Sequence, residues 1–207
     1  METDDEQVEK LRKWWEENGR SVIAGIVIGV GGLFGFRYWV DLQEATAEAA
    51  STHFVQMIEA LESSDSSVVA EQADTLIADY SGTEYATLAR FALARNLVEA
   101  GKYDQAQAQL EQIIGTAGDA PLAFLARKRL ASLQLYRSQA DQALITLSVE
   151  FPPAFSASMD ELKGDIYAQQ GKTEEAAIAY RRALSATPGP ANGEFLQQKL
   201  DDLGITG

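Results

Sequence analysis

The stretch KGDIYAQQGKTEEAAIAYRRALSATP, Lys163 to Pro188, decides how most of this chain folds. Its apolar residues recur at helical spacing on both sides of Gly171, and its smallest and largest side chains occupy distinct places. Two antiparallel helices approach closely only where bulk is missing, which Gly164 and Ala176 provide, while Tyr167 and Tyr180 fill the space between neighbouring units. Gly171 suits the turn between the helices, and Pro188 stops the second one.

That arrangement matches the tetratricopeptide pattern, which asks for small, aromatic and alanine positions at set offsets over about 34 residues. Gly164, Tyr167, Gly171, Ala176, Tyr180, Ala183 and Pro188 occupy offsets 8, 11, 15, 20, 24, 27 and 32. Further units appear towards the N-terminus. Gly101, Tyr103 and Ala106 form one, and Ala131, Ala143 and Leu147 a weaker one, with Leu147 at the aromatic position. Ala73 followed by Ile77 repeats the same pair of roles, and the spacings from Ala73 to Ala106, Ala143 and Ala176 are 33, 37 and 33 residues. Apolar faces run along Ala50, Phe54, Met57, Ile58 and Leu61, and along Val69, Ala73, Leu76, Ile77 and Tyr80, with no alternating β-branched runs between. The expectation is an all-α solenoid of helical hairpins at roughly 44–80, 83–117, 120–151 and 156–187, closed by a capping helix around Glu194 to Leu203.

In such arrays the first helix of each hairpin lines a concave surface at offsets 2, 5, 9 and 12. In this register those positions are Leu88, Phe91, Arg95 and Val98, then Leu125, Lys128, Ser132 and Leu135. They are expected to bind protein or peptide, unless neighbouring helices pack over them.

Ahead of the hairpins stands SVIAGIVIGVGGLFGFRYWV, Ser21 to Val40, whose one charge is Arg37. A spanning helix needs about 20 residues to cross roughly 30 Å of hydrocarbon. Arg37 is near enough to the end to reach headgroups, with Tyr38 and Trp39 at the interface. Ala45-Thr46-Ala47 resembles a cleavage site, but the acidic start and the bulky end of the apolar run speak for a retained anchor rather than a removed signal peptide. Lys10, Arg12, Lys13 and Arg20 precede the segment, whereas every charge between Asp41 and Ala89 is acidic. That bias keeps residues 1–20 in the cytoplasm as a tail, makes 21–40 a transmembrane signal anchor and exports 41–207. Val8, Leu11, Trp14 and Trp15 share one side of a helix, a pattern that suits either a helix lying at the headgroups or an ordinary basic, aromatic flank. Gly25, Gly29 and Gly32 leave one side of the anchor without bulk, which offers intramembrane packing to another helix.

Composition excludes several function classes. Residues 41–207 hold 12 basic and 24 acidic side chains within a chain of net charge −14, so nucleic acid is not an expected partner. There is no cysteine, hence no thiolate nucleophile, disulfide or Cys-ligated metal, and His53, the single histidine, reads as a helix boundary residue. No G-x-S-x-G and no phosphate-binding glycine loop occurs outside the apolar anchor. Glu174 and Glu175 fit a helix N-terminus. No catalytic residue, metal site or cofactor is expected.

The order of parts is more specific than any one of them: an acidic start, a basic WW flank, an anchor in EENGRSVIAGIVIGVGGLFGFRYW, then divergent hairpins. Over essentially the whole chain this resembles the YfgM-like ancillary subunits of the bacterial SecYEG translocon. The resemblance implies a single-pass inner-membrane protein with a periplasmic domain, associated with SecYEG and with a membrane-anchored periplasmic prolyl isomerase-like chaperone, that assists the handling of newly exported client proteins. The alternative is a tetratricopeptide scaffold for envelope assembly or cell division, since similar repeats serve there.

Overall fold

The computed structural model describes residues 4–117, 120–186 and 190–204. Among them every regular element is an α-helix: α1 (Asp4–Glu62), α2 (Ser66–Asp79), α3 (Glu84–Glu99), α4 (Tyr103–Ala117), α5 (Pro121–Tyr136), α6 (Ala140–Thr146), α7 (Pro153–Gln169), α8 (Thr173–Ala186) and α9 (Pro190–Asp202). The chain divides into two compact units, Met1–Thr52 and His53–Gly207.

The described residues of the first unit all belong to α1, and the helix runs through the glycine-rich stretch without a break. The apolar side chains from Ile23 to Trp39 are exposed, and almost none of the apolar window is buried, so this surface has no protein core of its own. It is long and apolar enough to cross a membrane. Trp14 and Trp15 are both half exposed, and the Trp15 side chain lies along the helix towards the next turn, so closely that a Cβ on Gly19 would sit 3.1 Å from its indole. Val8 is exposed as well, while the Leu11 side chain lies outside the described residues.

The second unit is a stack of hairpins built on one repeated turn. Where α3 ends, Gly101 takes φ +72°, its N–H bonds the Val98 carbonyl at 3.0 Å and the Lys102 N–H bonds the Leu97 carbonyl at 2.8 Å. This is a Schellman motif, which satisfies carbonyls that the helix end leaves open. Gly171 repeats it at φ +71°, with Lys172 returning to Tyr167 at 2.9 Å. Ser64 (φ 58°) and Ser138 (φ 61°) make the same turn, with Asp65 returning to Ala60 and Gln139 to Gln134. After the first of these turns Asp65 caps α2, accepting from the Ser67 hydroxyl at 2.7 Å and from the Val68 N–H at 3.2 Å, bonds that hold its carboxyl below the usual range.

Counting from these turns corrects the register of the first repeat. The position five residues beyond the turn is Val69, Ala106, Ala143 and Ala176 in the four hairpins, all buried, so Val69 and not Ala73 takes the small-residue place. Ala73 falls instead at the large-residue place, level with Leu110, Leu147 and Tyr180. Seven residues before each turn stand Met57, Ala94, Ala131 and Gly164. Facing positions therefore read Met57 with Ala73, Ala94 with Leu110, Ala131 with Leu147, and Gly164 with Tyr180. Bulk is exchanged between the two places while the pair's combined size stays within bounds, as close-packed interiors require. At Gly164 the exchange is complete: a Cβ there would overlap the Tyr180 ring. On the α1 face of this unit Met57 and Ala60 are buried, whereas Ile58 is exposed, one position off the buried stripe.

The third hairpin departs from the expected bounds at its second helix. α6 ends at Thr146, and the chain then passes through Phe151 to Pro152-Pro153. A proline disfavours helix in the residue before it, and Pro152 is extended at ψ 148°. Phe151 takes up the space that further turns of α6 would fill, packing edge-on against Phe124 at 5.7 Å while Phe155 meets the same ring at 5.4 Å. Pro188, expected to stop α8, lies outside the described residues.

The capping helix α9 begins at Pro190, earlier than expected, and buries Leu196 against Ala176, Tyr180 and Ala183. Lys199 clasps it to α7, donating to Glu161 at 2.8 Å and to both oxygens of Asp165 at 2.7 and 3.0 Å. The Tyr180 hydroxyl donates to the same Asp165 carboxylate at 2.8 Å.

Candidate protein-binding groove

Three helices of the second unit enclose a groove of about 720 Å³. Its floor is the core formed where α3, α4 and α5 meet: Phe91, Ala94, Leu110 and Leu133 are all buried there. Val98 of α3 and Leu125 of α5, half-buried, form apolar walls. At one end, beside the first residues of α4, Tyr103 and Tyr136 meet edge to face at 5.6 Å. Tyr136 is 71% exposed, and its phenol raises the pKa of Tyr103 above the usual value.

Above the apolar floor the rim is cationic. The Arg129 guanidinium lies over the Phe91 ring, 4.7 Å from its centroid, a cation–π placement. Burial, and then the charge of Arg95, push the Arg129 pKa down. Arg95 donates to Glu99 one helical turn on at 2.8 Å, on an exposed face. Among the described residues neither Lys128 nor Arg129 has an ion-pair partner. Ser132 adds an exposed hydroxyl.

The structure brings together Phe91, Arg95, Val98, Leu125, Lys128 and Ser132 of the eight expected positions. Leu88 is half-buried on α3 outside the groove lining, and Leu135 packs against the cluster that α5, α6 and α7 share. Arg129, Tyr103 and Tyr136 are groove residues that the offset rule passes over. The run Arg127-Lys128-Arg129 in an acidic domain was the available signal for the first, and the aromatic residues flanking the turns at Gly101 and Ser138 were the signal for the other two. In the first unit, a Cβ on Gly25, Gly29 or Gly32 would meet nothing within 4 Å, so the helix carries a bare stripe there. Among the described residues no cluster of His, Asp or Glu has the arrangement of a metal site.

Stacked antiparallel hairpins with a groove between first helices define a class, the tetratricopeptide-like interaction scaffold, which is non-catalytic. The model of the tetratricopeptide repeat-like domain family matches residues 12–205. The ancillary SecYEG translocon subunit of Escherichia coli (strain K12) is 31% identical over 205 residues, covering 99% of this chain and 98% of that protein. Its namesake in Haemophilus influenzae is 29% identical over 197 residues, covering 95% of this chain and 93% of that protein. The crystal structure of MamA protein shares the fold with a TM-score of 0.56 at 13% identity, over 75% of this chain and 87% of that one. This chain belongs to the family of ancillary SecYEG translocon subunits, within the tetratricopeptide repeat-like proteins.

Proposed function

We propose that this protein is a membrane-anchored interaction module that works beside the SecYEG translocon, holding its hairpin domain in the periplasm, where newly exported proteins emerge. The observation that supports this most is similarity along nearly the whole chain to the ancillary SecYEG translocon subunit of Escherichia coli, anchor included. The Lys and Arg bias ahead of Ser21 supports a cytoplasmic N-terminus and an exported C-terminal domain. In this reading residues 1–20 are the tail, 21–40 the anchor and 41–207 the periplasmic domain, which acts with a membrane-anchored prolyl isomerase-like chaperone on exported clients. The bare stripe at Gly25, Gly29 and Gly32 supports a packing role for the anchor, because helix association in lipid rests on close backbone approach. The groove positions Phe91, Arg95, Val98, Leu125, Lys128 and Ser132 are the proposed protein contacts; Leu88 and Leu135 act through the packing beside them.

Purification of the tagged full chain in mild detergent tests the reading. SecYEG subunits are expected to accompany it, and Gly29→Leu, which keeps the segment apolar and long enough to insert, is expected to reduce their recovery severalfold while the variant reaches the membrane in normal amount. Recovery of division or cell-wall proteins in place of SecYEG would overturn the reading in favour of an envelope scaffold.

A further inference from the structure

We infer that the groove between α3 and α5 selects extended polypeptide segments that carry a carboxylate side chain next to an aromatic or aliphatic one, with the carboxylate seated between Arg95 and Arg129. The inference rests on the interaction-module reading and specifies what the module takes.

Charge complementarity carries it. Residues 41–207 hold twice as many acidic as basic side chains, 24 against 12, yet the groove rim sets Arg95, Lys128 and Arg129 against Glu99 alone. Net negative charge over the domain keeps acidic chains at a distance in general, so a rim with three cations against one carboxylate gives them a locally favourable place. Arg95 already has a carboxylate partner in Glu99 at 2.8 Å, whereas Lys128 and Arg129 have none among the described residues, so the groove holds more cationic charge than its own carboxylate balances. Arg129 is also held in place over Phe91, so less side-chain freedom is lost when it engages a carboxylate, and a planar guanidinium matches that group in a bidentate way. The neighbouring surface is apolar: Val98 and Leu125 form the walls, and Tyr136 offers an exposed ring at one end. An acidic residue and an apolar one a short distance apart in an extended chain meet both halves of the site.

Anionic lipid shares the charge of such a segment but fits less well. The cations stand above a concave apolar floor rather than on a projecting face, and a domain with this excess of carboxylates is repelled by an anionic membrane surface.

The test uses the full-length chain in neutral detergent, with three fluorescent peptides of one extended, proline-free sequence: a Glu-Phe version, a Gln-Phe version and a Lys-Phe version. Anisotropy is expected to show binding of the Glu-Phe peptide about tenfold or more tighter than the Gln-Phe peptide, as one charge-assisted contact implies, with the Lys-Phe peptide weakest. Arg95→Gln and Arg129→Gln, each with unchanged helical circular dichroism, are expected to bring the Glu-Phe affinity down to the Gln-Phe level. Should Arg129→Gln disturb folding through Phe91, the exposed Arg95→Gln and the weakening of Glu-Phe binding by the wild type as salt is raised give the same answer. Equal affinity for the Glu and Gln peptides overturns the inference. Arg129-dependent binding to phosphatidylglycerol vesicles that exceeds peptide binding overturns it in favour of lipid. A chain that co-purifies with SecYEG but shows no acidic preference refutes this inference alone; one that prefers the acidic peptide but never accompanies SecYEG refutes the proposed function alone.

Discussion

At Gly164 the sequence spends its smallest residue to seat one of its larger ones. The Tyr180 ring lies where a Cβ would be, and its hydroxyl goes on to Asp165 at 2.8 Å. Gly164→Ala is expected to destabilise the domain by about 1–3 kcal/mol, the usual cost of overpacking a filled interior. Adding Tyr180→Leu should recover part of that loss, because Ala with Leu is the pairing already buried in the second and third hairpins. Urea unfolding of the two single variants and the double would show a favourable coupling of about 1 kcal/mol. Additive losses would mean that the two side chains are not a packing unit. This pair was legible in the sequence because both residues follow the common pattern. The first hairpin was not: Met57 and Ala73 reverse the sizes, and a search for small residues slid the register by four positions. Ser64 and Ser138 hid two turns for a related reason, since a positive φ there announces itself only when the residue is glycine.

Among the elements, α9 depends most visibly on a polar clasp. Burial opposes the Lys199 charge, but the hydrogen bonds and charges of Asp165 and Glu161 outweigh it and leave the pKa above that of an ordinary lysine. Burial first, then the bond to Asp165, pushes the Tyr180 phenol well above its usual value. Both groups hold their proton more firmly in the folded chain than in the unfolded one. Their contribution to stability is therefore full below the unfolded values of about 10 and is lost as pH rises through the folded ones. The urea midpoint is expected to fall above about pH 10, and to fall less steeply in Lys199→Met, which starts lower. Parallel declines would show that Lys199 is not part of the alkaline transition. The hairpin bounds read from periodicity match the helices except at α6, where Phe151 and the Pro152-Pro153 pair end the second helix of the hairpin early, and the capping helix α9 starts at Pro190, ahead of its expected place. An apolar residue followed by prolines reads equally well as a helix tail or as a loop, and only the Phe124 ring decides between them.

At the scale of the whole molecule, the chain pairs an exposed apolar helix with an acidic hairpin stack in which one groove carries more cations than carboxylates. The offset rule found the groove walls and part of its rim, because those positions follow from the geometry of repeated hairpins. It missed Arg129, which reaches the groove from the middle of α5 by lying over Phe91, and Tyr103 and Tyr136, which flank the turns at Gly101 and Ser138 and meet each other edge to face. The account makes this groove the working surface of a translocon-associated module, and photo-crosslinking in living cells tests that most directly. A photoreactive residue in place of Ser132, inside the groove, is compared with one in place of Ser185, which is exposed on α8. The account predicts that the Ser132 probe captures SecYEG subunits or newly exported polypeptides and that the Ser185 probe does not. Capture of division or cell-wall proteins alone, or the same products from both positions, would contradict it.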